Sequence, residues 1–323
     1  MDYKKYIGSV FLMLIVAFCY EKFQNHNTDS EEERNYLLVK KYLITESSLA
    51  KSKLPILWLY MNYEVNSRNW PSFYSRNTED LNQPYIYLTI KSIIKNCGNS
   101  FNICLINDTS LSNIIPDWNI DMSSVPDPIK NKLRNLAKAK ILKYYGGLFI
   151  PPSFLCLKNL KEIYNIKASK NMICVGELPN EGVSSKISET IVSEKLIGCG
   201  KNNHIINEYV NYLEHMISSD YTAESIFEGE IDKWLNKQVK IGNANMIQSN
   251  LLGVKDEDGK LVRIEDLMGS SFVNFDCNAL GIYIPQNELL KRTEYQWFNR
   301  LNVKQIMESD STLGKLFITT YNN

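Results

Sequence analysis

Histidine is scarce, with three in 323 residues, and the seven cysteines include no Cys-x-x-Cys pair. That ligand supply argues against a zinc site. No charge of one sign is in excess either, since Lys plus Arg and Asp plus Glu each number 36. Without a basic surplus the chain lacks the electrostatic footprint of a nucleic-acid binder, and that partner class drops out. A Gly-x-Ser-x-Gly element is also missing, which disfavours a hydrolase-type nucleophile elbow. No internal repeat and no low-complexity tract interrupts the chain. What is present suffices for a full core, because hydrophobic residues make up 44%. A single α/β domain reaches roughly 250 residues, so the length does not demand two.

Cys19 lies in an apolar N-terminal run, leaving Cys97, Cys104, Cys156, Cys174, Cys199 and Cys277. These six could pair outside the cytoplasm. Several sit in strand-like apolar runs, however, which favours buried free thiols.

Lys4 and Lys5 precede an uncharged stretch from Tyr6 to Tyr20. As a helix it would span roughly 22 Å, short of a hydrocarbon core of about 30 Å. Tyr3, Tyr6, Tyr20 and Phe23 are suited to the membrane interface. Ala17-Phe18-Cys19 makes a poor cleavage site, so a retained anchor over 1–22 is favoured over a cleaved signal peptide. Basic residues before the run and Glu31 to Glu33 after it predict a single-pass type II membrane protein with a lumenal or exterior soluble part. Asn107-Asp108-Thr109 would be a glycosylation sequon there.

Residues 23–52 read as a stem, with Ser30 and Glu33 as a capping box for a helix through Tyr42. The remainder, 53–323, reads as one domain. Leu54–Met61 and Phe101–Ile106 are predicted buried strands, with a helix from Pro84 to Asn96 between them. Ile129–Tyr145 is helical by period and stops at Gly146-Gly147, after which Leu148–Ile150 opens a strand that Pro151-Pro152 interrupts before Phe154. Strand and helix alternating in this way predict a parallel sheet covered by helices. Beyond it, Met172–Leu178 and Gly281–Pro285 read as strands, while His204–Ile217 and Ala223–Leu235 read as helices. The stretch Asp256 to Gly259 is a surface turn.

Arg134 to Leu160 reads RNLAKAKILKYYGGLFIPPSFLCLKNL. This resembles the signature of DXD-type glycosyltransferases, the group of initiating mannosyltransferases, glucosylating toxins and capsular polysaccharide synthesis proteins. Leu142, Tyr145, Gly146, Gly147, Leu148, Phe149 and Ile150 match it in type and spacing, and Leu54 to Trp58 resembles the family's opening strand. The likeness covers roughly residues 54 to 165, and the whole chain also looks like proteins encoded by large DNA viruses. It implies a GT-A-like, Rossmann-like mixed α/β sheet, a nucleotide-sugar donor and a glycan or protein acceptor. With the N-terminal anchor helix, a host endomembrane or virion membrane would be the setting.

In such families two aspartates at i and i+2 on a strand converge and hold Mn²⁺ or Mg²⁺ against the donor diphosphate. Here those positions are Pro151 and Ser153, so the resemblance comes without the ligands for its usual metal. The upstream donor-sugar contacts, Asp and Arg in the family, fall at Asn135 and Lys138, spaced to share a helix face. The donor-binding set implied is therefore Asn135, Lys138, Gly146, Gly147, Ser153 and Asp108, with no metal and no other cofactor. Asp108 reads equally as a turn former. Lys132, Arg134, Lys138, Lys140 and Lys143 read either as a solvated helix face or as a metal-free diphosphate clamp. Glu177 is a candidate general base, set against a plain strand-end carboxylate. His204 reads as a surface residue. Trp58, Trp70 and Trp297 read as core or as sugar-stacking rings, and the amide-rich loop Asn243 to Gly253 could line a cleft. Two functions follow: a sugar transferase without DXD-bound metal, or an inactive relative that binds glycan or acts as a scaffold.

Overall fold

The computed structural model describes residues 54–61, 83–168, 172–181, 185, 188–219 and 224–322. All of them fall within the unit Leu43–Asn323. The anchor expected at 1–22, the stem at 23–52 and Trp70 lie outside the described residues.

The first described strand, β1 (Ile56–Tyr60), is apolar throughout and buried at every position. A strand buried on both faces belongs in the middle of a helix-covered sheet. It pairs in parallel with β2 (Asn102–Ile106) on one side and with β3 (Gly147–Phe149) on the other. Three further strands extend this sheet: β5 (Ile173–Pro179), β6 (Thr190–Cys199) and β7 (Ala244–Ile247), in the spatial order β2-β1-β3-β6-β5-β7. β6 runs antiparallel to both of its neighbours, whereas β5 and β7 are parallel. Five strands thus point the same way and β6 alone opposes them. A mostly parallel mixed sheet of this kind fits the GT-A-like fold. The short strands β4 (Phe154–Cys156) and β8 (Gly281–Tyr283) form a separate antiparallel pair.

Two long helices make the crossovers to the parallel strands: α1 (Tyr85–Cys97) leads into β2, and α3 (Ile129–Tyr145) leads into β3. Between them lies the single turn α2 (Leu111–Ile114). After β4 come α4 (Lys161–Lys167), α5 (His204–Ser218) and α6 (Glu224–Lys240). The shorter helices α7 (Ile264–Met268), α8 (Gln286–Lys291) and α9 (Val303–Glu308) precede α10 (Thr312–Asn322). Side chains of β1, β3, α3, α5 and α6 share one apolar cluster. Trp58 stacks on Phe149 at 5.9 Å and donates its indole N–H to the carbonyl of Gly146 at 2.9 Å. On the other side, α10 is tied to α1 by the Tyr321 hydroxyl on the Leu88 carbonyl at 2.6 Å.

The Gly146-Gly147 pair has a steric cause. Gly147 has φ +103°, and a Cβ there would stand 2.4 Å from the carbonyl oxygen of Ile56. Only glycine lets β3 pass so close to β1.

Two expectations need correction, and one strand is new. The single-pass membrane arrangement is not supported: among the described residues no helix is long and apolar enough to cross a membrane. The stretch Asn243 to Gly253 is not all loop, because Ala244–Ile247 forms strand β7. The ten-residue strand β6 had no counterpart in the sequence reading.

Candidate functional site

Because five strands share a direction, their carboxyl ends crowd one edge of the sheet, the edge at which open α/β sheets bind ligands. Tyr60, Asp108, Ile150-Pro151, Glu177 and Ile247 to Ser249 lie there, together with the first half of β6.

Asp108 follows β2 directly. The Asn107 side chain accepts from Ser110 N at 3.0 Å and fixes the turn that carries it. Its two oxygens are taken by Arg134 on α3, with Nε 3.0 Å from Oδ1 and Nη2 2.7 Å from Oδ2. The Tyr60 hydroxyl adds a bond to Oδ1 at 2.5 Å. Burial pushes the Asp108 carboxyl up, but the Arg134 and Tyr60 bonds outweigh it and hold the group below the usual range. Burial, then Asp108, pushes the Tyr60 phenol far up. Asp108 is thereby committed to a structural fork.

The cations of α3 do not form one face. Lys132 is buried over the Phe227 ring at 5.3 Å, and Lys140 pairs with Glu214 of α5 at 2.8 Å. Lys138, one turn beyond Arg134, is different. Its ammonium donates to the neutral Asn135 amide oxygen at 3.1 Å and forms no ion pair among the described residues. Burial first, then the charges of Lys195 and Arg134, lower its pKa, while Glu194 and Glu228 oppose that. Asn135 and Lys138 are thus brought together, and their electrostatic neighbours are on β6 and α6.

Lys195 is the site residue that sequence reasoning missed. It lies on β6 two residues before Ile197, the partner of Phe149, where the pairing of β6 with β5 is irregular. Its ammonium lies 2.9 Å from Glu181 Oε2 and 3.5 Å from the Tyr283 hydroxyl. Tyr283 in turn donates to Glu181 Oε1 at 3.2 Å, and Asn287 donates to Oε2 at 3.4 Å. Burial lowers the Lys195 pKa, but Tyr283 and Glu181 outweigh it and the group is held well above its ordinary value. These partners come from β6, β8, α8 and the end of β5, so no local pattern announces them.

The remaining positions are placed elsewhere. Ser153 is 1% exposed, and its carbonyl accepts from Ile284 N at 3.2 Å. Pro151 is buried, and the Pro152 carbonyl accepts from the Thr89 hydroxyl of α1 at 2.6 Å. Ser153 as a donor contact is therefore corrected: Pro151 and Ser153 are both buried, and bonds to its backbone tie the segment to α1 and to Ile284. Gly146 and Gly147 stand at the entry of β3, across from Cys199 and beside Ile56, at the far edge of the sheet from Asp108. They shape the backbone and do not line this edge. His204 is exposed, as expected, behind the helix cap Asn203.

Glu177 accepts from the Thr190 hydroxyl at 2.6 Å and from Ser249 N at 3.0 Å. Burial raises its pKa, yet these bonds dominate and hold it low, which makes it a weak proton acceptor. It borders a cavity of about 350 Å³ with Gln248, Ser249, Asn250, Lys255 and Asp276. Asp232 on α6 behaves in the opposite way. Burial, then Glu194 and Glu228, push its carboxyl up to about 7, against Lys195. A carboxyl that titrates near neutrality suits proton transfer better than Glu177 does. In sequence it is one acid within a polar helix.

The divalent ion implied by the family does not fit here. The two ligand positions carry no carboxylate, both are buried, and Asp108 is engaged by Arg134 and Tyr60. Among the described residues no group of three or more His, Cys, Asp or Glu could hold a metal ion.

No family model matches the chain, and no curated protein matches it. Among solved structures it is similar to the PaToxG glycosyltransferase, at 15% identity over 74% of this chain and 92% of that one, with a TM-score of 0.31. A likeness that distant carries no argument about chemistry.

Proposed function

We propose that this domain binds a nucleotide sugar at the carboxyl edge of β1, β2 and β3 and acts as a glycosyltransferase that uses side-chain cations in place of a DXD-bound metal. The observation that carries the reading is Lys138. A partly buried ammonium is costly without a paired anion, and this one hydrogen-bonds an amide oxygen at 3.1 Å; burial first, then Lys195 and Arg134, depress its pKa against the more distant charges of Glu194 and Glu228. A donor diphosphate would relieve that penalty. Arg134 and Lys195 already have carboxylate partners, so Lys138 is the cation with charge to spare. When the sugar leaves its nucleotide, negative charge grows on the diphosphate, and a fixed ammonium stabilises it. Asp232, which lies in the field of Lys195 and Glu194 on β6, is the candidate to accept the proton of the acceptor hydroxyl.

Binding of UDP, GDP and their sugars to the purified chain, followed by calorimetry with excess EDTA and again with Mn²⁺, tests this reading. It expects metal-independent binding that Lys138→Met weakens. Binding that requires Mn²⁺, or no binding of any nucleotide, would sink it.

The enclosure of Pro151 to Ser153 favours a second reading, a glycosyltransferase-like protein that binds without transferring. Nucleotide binding with neither hydrolysis nor transfer of the sugar would decide for it.

A further inference from the structure

We propose that Cys97 and Cys156 are an oxidisable pair that closes into an intramolecular disulfide and latches α1 to β4. Their sulfurs are 3.8 Å apart, in van der Waals contact, and both residues are fully buried. The two chain segments are already held in register around them. Cys156 N donates to Ser92 Oγ at 2.9 Å, and the Asn96 amide donates to the Cys156 carbonyl at 2.9 Å. With the backbones pinned in this way, rotation of the two side chains is the movement that joining the sulfurs requires.

The other described thiols are not so placed. Cys174 and Cys199 are on neighbouring strands, but Cys174 stands opposite Gly198 and Cys199 opposite Ile173, so the two face opposite sides of the sheet. Cys104 is buried alone in β2 and Cys277 is exposed in a loop.

The contact with Cys156, whose thiol also donates to the Lys158 carbonyl at 3.1 Å, lowers the Cys97 pKa against burial, while Cys156 is itself pushed up, so Cys97 is the nucleophile. Burial keeps Cys104, Cys174 and Cys199 as protonated thiols. The oxidant suited to an enclosed pair is hydrogen peroxide, which is close to water in size. The Cys97 thiolate attacks one peroxide oxygen, the O–O bond breaks, and hydroxide leaves and takes up a proton to become water. The Cys156 sulfur, giving up its proton, then attacks Cys97, the S–O bond breaks, and a second water leaves. Two thiols and one peroxide thus become one disulfide and two waters. The latch bears on the Pro151 to Ser153 segment, because β4 begins directly after Ser153.

The test uses the full chain, reduced with dithiothreitol, pulsed with hydrogen peroxide, then denatured and alkylated with N-ethylmaleimide. Peptide mapping is expected to find Cys97 joined to Cys156 and the other five thiols largely alkylated. The melting temperature should rise by several degrees and return on reduction. Cys277→Ser, which removes the exposed thiol, should leave the crosslink intact, and Cys156→Ala should abolish it. Full alkylation of Cys97 and Cys156 after the pulse would overturn the proposal. So would their separate conversion to sulfinic acids, or a melting temperature unchanged by a mapped crosslink. If Cys156→Ala does not fold, the mapped crosslink in Cys277→Ser decides alone.

Discussion

Arg134 closes a two-point fork on Asp108, joining the first turn after β2 to the middle of α3 across 26 residues. Both side chains are largely shielded, at 11% and 26% exposure. Removing one partner leaves the other charge without compensation. Arg134→Ala should cost about 2–3 kcal/mol of stability, more than a surface ion pair would. The Asp108 pKa is depressed in the fold, so its contribution is present above the ordinary value of 3.8 and is lost as pH falls through the lower folded value. Denaturant titrations from pH 6 to pH 2 should show wild-type stability falling more steeply at the acid end than that of Asp108→Asn. Parallel curves would mean that the fork contributes nothing.

Gly147→Ala should be among the most damaging single changes in the sheet. The added methyl meets the Ile56 carbonyl at 2.4 Å and the Trp58 indole nitrogen at 2.9 Å, on a backbone at φ +103°. Strain and overlap together should exceed about 3 kcal/mol. Gly242→Ala is the control, since it shares a positive φ of +83° and has open space around it. A smaller midpoint shift for Gly147→Ala than for Gly242→Ala would contradict the close-approach argument.

The first half of the fold was legible because its elements are written locally. β1 and β2 are short apolar runs, and α3 carries its period to a glycine stop. β6 was not, because Ser193, Glu194 and Lys195 interrupt its apolar run where the strand reaches the polar edge. β7 is four residues long and hidden among amides. The site divides in the same way. Asn135 and Lys138 come from the resemblance to the family signature, and their spacing within one helix keeps them on one face. Lys195, Glu181 and Tyr283 meet only because β6 folds back against β3 and β8 lies beside β4, with up to 102 residues between partners. Ser153 differs because its place in the motif does not reveal burial, and here the residue is 1% exposed.

Lys138→Met should weaken nucleotide-diphosphate binding about 10- to 100-fold, the range for a charge-assisted contact of roughly 1.5–3 kcal/mol. Glu181→Gln should have a smaller effect, because Lys195 keeps Tyr283 as a partner. The pH dependence has a definite sign. The Lys138 pKa is lowered in the free protein, and a bound diphosphate would raise it, so binding takes up protons and affinity falls as pH increases. Calorimetry in buffers of different ionisation enthalpy would read that uptake directly. Proton release on binding would exclude Lys138 as the anion's partner.

Asp232 gives the converse pH signature. Its carboxyl titrates at about 7 in the fold against an ordinary 3.8, so the folded state keeps a proton that the unfolded chain has released. Asp232 therefore erodes stability as pH rises from about 4 through about 7, and the penalty is fully present above that. Asp232→Asn removes the charge and should raise the melting temperature by a few degrees at pH 8, with little change at pH 4. If Asp232 also takes the acceptor proton, the same variant should lose transfer activity at least 100-fold while keeping its nucleotide affinity. Melting curves and transfer rates from pH 5 to pH 9 separate the two roles. A stabilised variant with full activity would leave Asp232 as a strained charge and nothing more. A variant destabilised at pH 8 would show that its neighbours do not raise its pKa.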